Sequence, residues 1–314
     1  MCGCFLGVWL HGRADKGRTI ENREFCRGTA GFFRLSPLRK QKKGALVWRA
    51  LYPIGIHFVI SQIVAYTGRY FLVERAGLEA AVFYRYTMML TGITGILALI
   101  PCLYFYRKDR FARTVGGLIP EKTASPLYLP EVLLYLIMGA FLAEYGNIFV
   151  NLLAGTTKSS AVYQESSAAI MEGKSLLVMI FWFGILVPLA EEAVFRWLIY
   201  LRLRDHLRVA ASAVLSGLLF GIYHMNLIQG IYAFLLGAVF AVLMEWRGKL
   251  LVSVLLHMGA NIGSLLANQY LPAIISNGSV TMLMTVNMVM FVIVVAGFWY
   301  SARACEQRGK KRMV

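Results

Sequence analysis

Charge is scarce in this chain. Of its 314 residues 58% are hydrophobic and only 15% are Asp, Glu, Lys or Arg. Soluble globular domains carry about 25% charged residues, so the shortfall excludes an ordinary water-soluble fold and makes lipid the expected solvent. Acidic residues are rarer still, 16 against 32 basic ones, for a formal net charge of +16. In a soluble protein that imbalance would point to nucleic acid. Here the basic residues gather at connections and tails, as cytoplasmic loops of membrane proteins do, and no nucleic-acid partner is expected. The five cysteines (Cys2, Cys4, Cys26, Cys102 and Cys305) form no CxxC pair, and no His stands at zinc-finger spacing. Disulfides and a structural zinc are therefore not expected. Cys2 and Cys4 lack a lipidation motif. Residues 1–47 contain no apolar stretch long enough for a cleavable signal peptide.

What the chain has instead is long apolar runs. Eight are legible, at about 48–68, 82–106, 128–154, 175–203, 207–225, 228–246, 250–269 and 279–301. A run of roughly 20 apolar residues spans a bilayer, and in lipid each must be a helix because only internal hydrogen bonds satisfy the backbone. The fold class is all-α: a polytopic membrane bundle of about eight transmembrane helices. Positive charge fills alternate connections, with Arg107, Lys108, Arg110, Arg113 and Lys122 in the second, Arg202, Arg204 and Arg208 in the fourth, and Arg247 and Lys249 in the sixth. The fifth and seventh carry none. The positive-inside rule then places both termini in the cytoplasm of a multi-pass integral membrane protein. Three parts follow: residues 1–47 as a basic, disordered cytoplasmic tail, 48–302 as the eight-helix domain, and 303–314 as a basic cytoplasmic tail. On the sixth helix Ala233, Gly237 and Ala241 make a small-residue face suited to close packing.

Three polar clusters interrupt the apolar runs: Glu191-Glu192-Ala-Val-Phe-Arg196, Phe220-Gly-Ile-Tyr-His224 and His257-Met-Gly-Ala-Asn261. Ionisable residues at membrane depth are costly and mark functional sites by default. Glu191 and Glu192 follow Pro188, which removes a backbone hydrogen bond from the fourth helix. Adjacent residues point about 100° apart on a helix, so the two glutamates have different tasks. Glu192 and Arg196 are i,i+4 with the acid first, the favourable order for a structural ion pair. Glu191 has Phe195 at i+4 and no such partner. A buried, unpaired carboxylate suits a general base. Phe220 and His224 share one helix face, as do His257 and Asn261. At ~1.5 Å per residue Glu191 lies roughly 21 Å from Asp205, His224 roughly 24 Å from Arg208, and His257 and Asn261 roughly 12 and 18 Å from Lys249, depths that permit convergence. Glu144, Asn147 and Asn151, with His57, Gln62 and Arg85, read as helix-to-helix packing contacts.

The order EExxxR, FxxxH, HxxxN resembles the CAAX prenyl protease and bacteriocin-processing family of intramembrane proteases, also called the abortive-infection family. The motifs cover about 170–270. The resemblance implies a helical bundle around an intramembrane cavity and an endopeptidase acting on a membrane-associated peptide or membrane-anchored protein, with no cofactor required. Glu191, assisted by His224, would activate water. His257 and Asn261 would form the oxyanion hole, while Glu192, Arg196 and Phe220 support the site. A zinc-dependent version would use Glu191, His224 and His257 as ligands, although HExxH is absent. Buried Glu, His and Arg also suit a transporter, against which the lack of an inverted repeat speaks; a non-catalytic immunity or scaffold protein is the third reading. The compact connections favour a bacterial cell membrane.

Overall fold

The computed structural model describes residues 43–78, 80–115, 125–154 and 173–311. Among them there is no strand, and eight helices make up the bundle. They are α1 (Lys43–Arg69, running on through a turn at Tyr70–Arg75), α2 (Ala80–Val115), α3 (Leu129–Ala154), α4 (Leu176–Arg204), α5 (Val209–Tyr223), α6 (Leu227–Arg247), α7 (Leu251–Asn277) and α8 (Val280–Lys311). Seven are long and apolar enough to cross a membrane. The exception is α5, whose 15 residues rise only about 22 Å, less than the ~30 Å of a hydrocarbon core. Of the eight expected spans, the fifth is thus an apolar helix shorter than the layer it would cross. Its end carries His224, followed by Met225 at φ 53°. The side chain of Asn226 then caps α6 by accepting from the Gln229 amide at 3.0 Å.

Helices overrun several expected ends. Arg107, Lys108, Arg110 and Arg113, expected in a connection, lie on α2, and Arg202 and Arg204 lie on α4. Most of the proposed 1–47 tail is outside the described residues, while 43–47 is already α1. Residues 303–311 continue α8, with Cys305 buried and Arg308 donating to the carbonyls of Glu245 and Trp246.

The arginines at these ends are not solvated loop charges. Arg202 is 1% exposed, bonds Asp109 at 2.5 Å and the Tyr52 hydroxyl at 2.5 Å, and lies over the Tyr52 ring. Arg113 pairs with Asp205, Arg204 with Glu245, and Arg247 with Glu131. These contacts join α1, α2, α3, α4, α6 and α8 in one belt. Both α1, through Arg49 on Asp109, and the last turns of α8, through Arg308, enter it. Burying so many guanidinium groups is tolerable because each meets a carboxylate or carbonyl; removing one partner of such a pair costs about 3–5 kcal/mol.

Two places show how the helices come together. α7 meets α3 backbone to backbone, since a Cβ on Gly259 would collide with the Leu136 carbonyl and one on Gly139 with that of Leu256. The small face expected on α6 is buried as a unit, Ala233 against Phe195 and Phe220, Gly237 beneath Arg196, and Ala241 against Tyr200.

Candidate active site

α4 is not a regular helix where its acids sit. A six-residue α-turn, Val187–Glu192, is flanked by π-wound stretches at Ile180–Leu186 and Ala193–Tyr200. The wider winding shows in the hydrogen bonds, with the Val187 amide donating to the Trp182 carbonyl and the Leu201 amide to that of Arg196. Runs of π winding are uncommon and collect at functional sites. Pro188 explains part of the first stretch. With bonds running to the fifth residue back, its nitrogen would serve the Phe183 carbonyl, and proline has no N–H to give. The Asn261 side chain fills that gap, Nδ2 donating to the Phe183 carbonyl at 2.8 Å. In the second stretch Ser216 Oγ donates to the Phe195 carbonyl at 2.7 Å. Irregular backbone inside a membrane survives only where such partners exist.

Glu192 and Arg196 are both fully buried, and Arg196 Nη1 lies 3.2 Å from Glu192 Oε1. The guanidinium also stacks on Phe220, 4.6 Å from the ring centroid. The expected structural pair is present, with Phe220 supporting it. His257 Nδ1 is 3.0 Å from Glu192 Oε1. A carboxylate only accepts, so Nδ1 carries the proton, and Nε2 is left facing Glu191 Oε2 at 3.5 Å. Glu191 is therefore not unpaired: a line runs Arg196, Glu192, His257, Glu191. The i,i+4 rule saw only partners on the same helix, and this one arrives from α7.

His224 stands in a different relation. Its Nδ1 is 2.9 Å from the Phe220 carbonyl, so it donates there and the neutral ring keeps Nε2 as a free acceptor. The His224 ring packs edge-on against Phe220 at 4.7 Å, and Phe220 touches the His257 ring at 5.6 Å. The two imidazoles thus flank one phenyl ring. Among the described residues no hydrogen bond or ion pair joins His224 to Glu191; His257 holds that position.

The seven sequence-predicted residues lie on α4, at the end of α5 and on α7; contacts connect Glu191, Glu192, Arg196, Phe220, His224 and His257, while Asn261 is tied to the Phe183 carbonyl of α4. The zinc trio fits less well. Among the described residues no three His, Cys, Asp or Glu side chains gather in a metal-binding group, and both His257 nitrogens are directed at glutamates. Of the residues assigned to packing, Gln62 is exposed and Glu144 and Asn147 are partly buried, while the side chains of Arg85 and Asn151 lie outside the described residues. His57 is another matter. It bonds the Tyr223 hydroxyl at 2.5 Å, and the two rings meet edge-on at 5.3 Å. Its signal was available, an imidazole in the first span, but nothing local distinguished it from a packing contact. An apolar cavity of about 400 Å³ between α5 and α6 is lined by Ile222, Met225 and Leu227 among others and by none of the seven.

Residues 173–263 match the family model described as type II CAAX prenyl endopeptidase Rce1-like. The match covers under a third of the chain and includes every one of the seven residues, which bears out the resemblance read from the motifs. No curated protein and no solved structure matches the chain.

Proposed function

Because the family model described as type II CAAX prenyl endopeptidase Rce1-like matches across α4, α5, α6 and the first half of α7, we propose that this protein is an intramembrane endopeptidase that cleaves a membrane-associated peptide or membrane-anchored protein with a glutamate-activated water. The observation that carries this reading is the line Arg196–Glu192–His257–Glu191 inside an apolar bundle, an ion pair at one end and an imidazole within 3.5 Å of both acids at the other. Glu192 orients His257 as a buried acid orients a catalytic imidazole elsewhere. Glu191, the more exposed of the two acids, takes a proton from water. The hydroxide oxygen attacks the scissile carbonyl carbon, and charge moves to the carbonyl oxygen. The second N–H of Asn261 is a donor for that oxyanion, and His257 joins it through Nε2 once that nitrogen carries the ring's second proton, both strengthened by low dielectric. When the C–N bond breaks, Glu191 returns its proton to the leaving amine. His224, through its free Nε2, accepts a hydrogen bond from the water. The arginine belt faces the cytoplasm with both chain ends, in line with the positive-inside rule. In a bacterial membrane the substrates are peptide pheromones, leader peptides or anchored regulators.

The test is comparative peptidomics of cells bearing wild type or Glu191→Gln, followed by cleavage of the peptides so identified by purified protein in vesicles. Loss of defined products in the variant is expected, with cleavage persisting after exhaustive chelation. Unchanged products in Glu191→Gln would end the reading, and loss on chelation restored by zinc would replace its water-activating step.

A further inference from the structure

Two serines sit one turn apart on α5, both fully buried, and their hydroxyls differ. Ser216 Oγ donates to the Phe195 carbonyl of α4 at 2.7 Å. The Ser212 hydroxyl has no hydrogen-bond partner among the described residues. The Ser216 bond falls on Ala193–Tyr200, the π-wound stretch between the acids of α4 and its arginine end. Both sides of the bond are held. Gly217, the next residue of α5, is pressed on α6 so closely that a Cβ would come within 2.8 Å of the Phe234 carbonyl. The Phe195 ring lies against Phe220, one turn further along α5, at 4.8 Å. Past the π-wound stretch α4 is pinned in the arginine belt, Arg202 by Asp109 and the Arg49 carbonyl, and Arg204 by Glu245.

Resting on the endopeptidase reading above, we propose that Ser216 is a positioning residue for the reaction: its hydroxyl holds α4 in the π-wound form that turns Glu191 toward His257. Hydrogen bonds to the fourth residue back are the regular pattern of a helix, and π turns within one are mostly single-turn bulges. A stretch of eight residues needs support from outside the helix. The Ser216 hydroxyl supplies it, giving the Phe195 carbonyl a donor that the regular ladder does not contain. Each π turn accommodates one residue more than the α turn it replaces. If one such turn reverted while Arg202 and Arg204 stayed in the belt, the acids would move by one helical position, about 100° around the axis and ~1.5 Å along it. Glu191 would then leave His257, now 3.5 Å away, and Glu192 would lose its 3.0 Å contact with the same ring. A tie made only for adhesion would serve wherever on α4 it fell; this one falls on the winding that aims the base.

The experiment uses full-length protein in lipid vesicles and a peptide whose cleavage Glu191→Gln abolishes. Misplacing a reacting group by about 1 Å costs on the order of 100-fold in rate. Ser216→Ala is therefore expected to lower kcat roughly 10- to 100-fold, with KM within about twofold of wild type. Ser212→Ala removes the same atom at the same burial one turn away and should leave kcat within about twofold of wild type. Ser216→Cys keeps a weak S–H donor and should lose less than the alanine variant but more than about twofold; it carries the test alone if Ser216→Ala does not fold. All variants are compared below their melting midpoints, where each is folded. Folded Ser216 variants that keep kcat within about twofold of wild type overturn the proposal. So does an equal loss in Ser212→Ala, which would mark a general sensitivity of α5, and so does a rise in KM that accounts for the whole loss. If Glu191→Gln itself still cleaves, the endopeptidase mechanism fails first, an outcome read separately from these.

Discussion

Glu191 and Glu192 are neighbours in sequence with opposite expected responses to the same isosteric change. Glu192 is fully buried and, among the described residues, is the sole carboxylate within ion-pair distance of Arg196, itself fully buried. Glu192→Gln leaves the volume unchanged and strands a guanidinium in the core. Removing one partner of a buried pair costs about 3–5 kcal/mol, and the Phe220 face at 4.6 Å returns at most about 2 kcal/mol, an interaction already present in the wild type. At about 2–4 °C per kcal/mol, the midpoint of thermal unfolding in detergent should fall by roughly 6 °C or more. Glu191 is partly exposed, and its one polar side-chain contact among the described residues is the long one to His257. Glu191→Gln should cost no more than about 1 kcal/mol, while cleavage disappears. A third variant checks the cause. Glu192→Gln with Arg196→Met removes the stranded charge, and since buried ion pairs are often replaceable by apolar groups without loss, it should melt above Glu192→Gln alone. If the double variant melts no higher, or if Glu191→Gln is the less stable of the two single variants, the division of labour between the acids is wrong.

Gly237→Ala would put a Cβ 2.5 Å from Arg196 Nη2 and 3.1 Å from Phe220 Cδ1, and overpacking of this kind costs about 1–3 kcal/mol; Gly55→Ala, with nothing within 4 Å, should be neutral or gain up to about 1 kcal/mol, both read as melting midpoints. Asn261→Ala should lose about 1–3 kcal/mol by leaving the Phe183 carbonyl unpaired. Adding Pro188→Ala restores a backbone donor, so the double variant should regain stability but not cleavage; a cycle with no coupling would show that Asn261 does not stand in for the proline.

The bundle was legible because lipid allows so little else. Apolar runs long enough to span gave the helices and their order, and the family-like motifs fell on α4, α5 and α7 as expected. What was misread came from treating charge as a marker of water. Arg202 and Arg204 were placed in a connection by their type alone, yet both are buried. Their carboxylate partners, Asp109 and Glu245, lie 93 and 41 positions away. No local pattern reveals such pairs. The break between α5 and α6 falls between the runs 207–225 and 228–246, where Met225 has positive φ and Asn226 caps α6; hydropathy does not show that the helical part of the fifth run is only 15 residues long.

At the site, residue types were readable and partners were not, and the cause is geometric. A helical wheel of 3.6 residues per turn orders side chains on a regular helix, but α4 is π-wound on both sides of its acids, and its neighbours arrive through tertiary packing. That is why His257 meets Glu191 where His224 was expected. The prolines carry the same lesson in a form that sequence can use. Pro53 cannot bond the Arg49 carbonyl four residues back, and Arg202 donates to it at 2.7 Å; Pro188 leaves the Phe183 carbonyl open, and Asn261 donates to it. In a membrane a proline thus creates an acceptor that some polar side chain must reach. The donor that reaches it is held in place by the backbone it satisfies. Asn261 is fixed this way with one N–H spent and one to spare, which is the state an oxyanion donor needs before any substrate arrives.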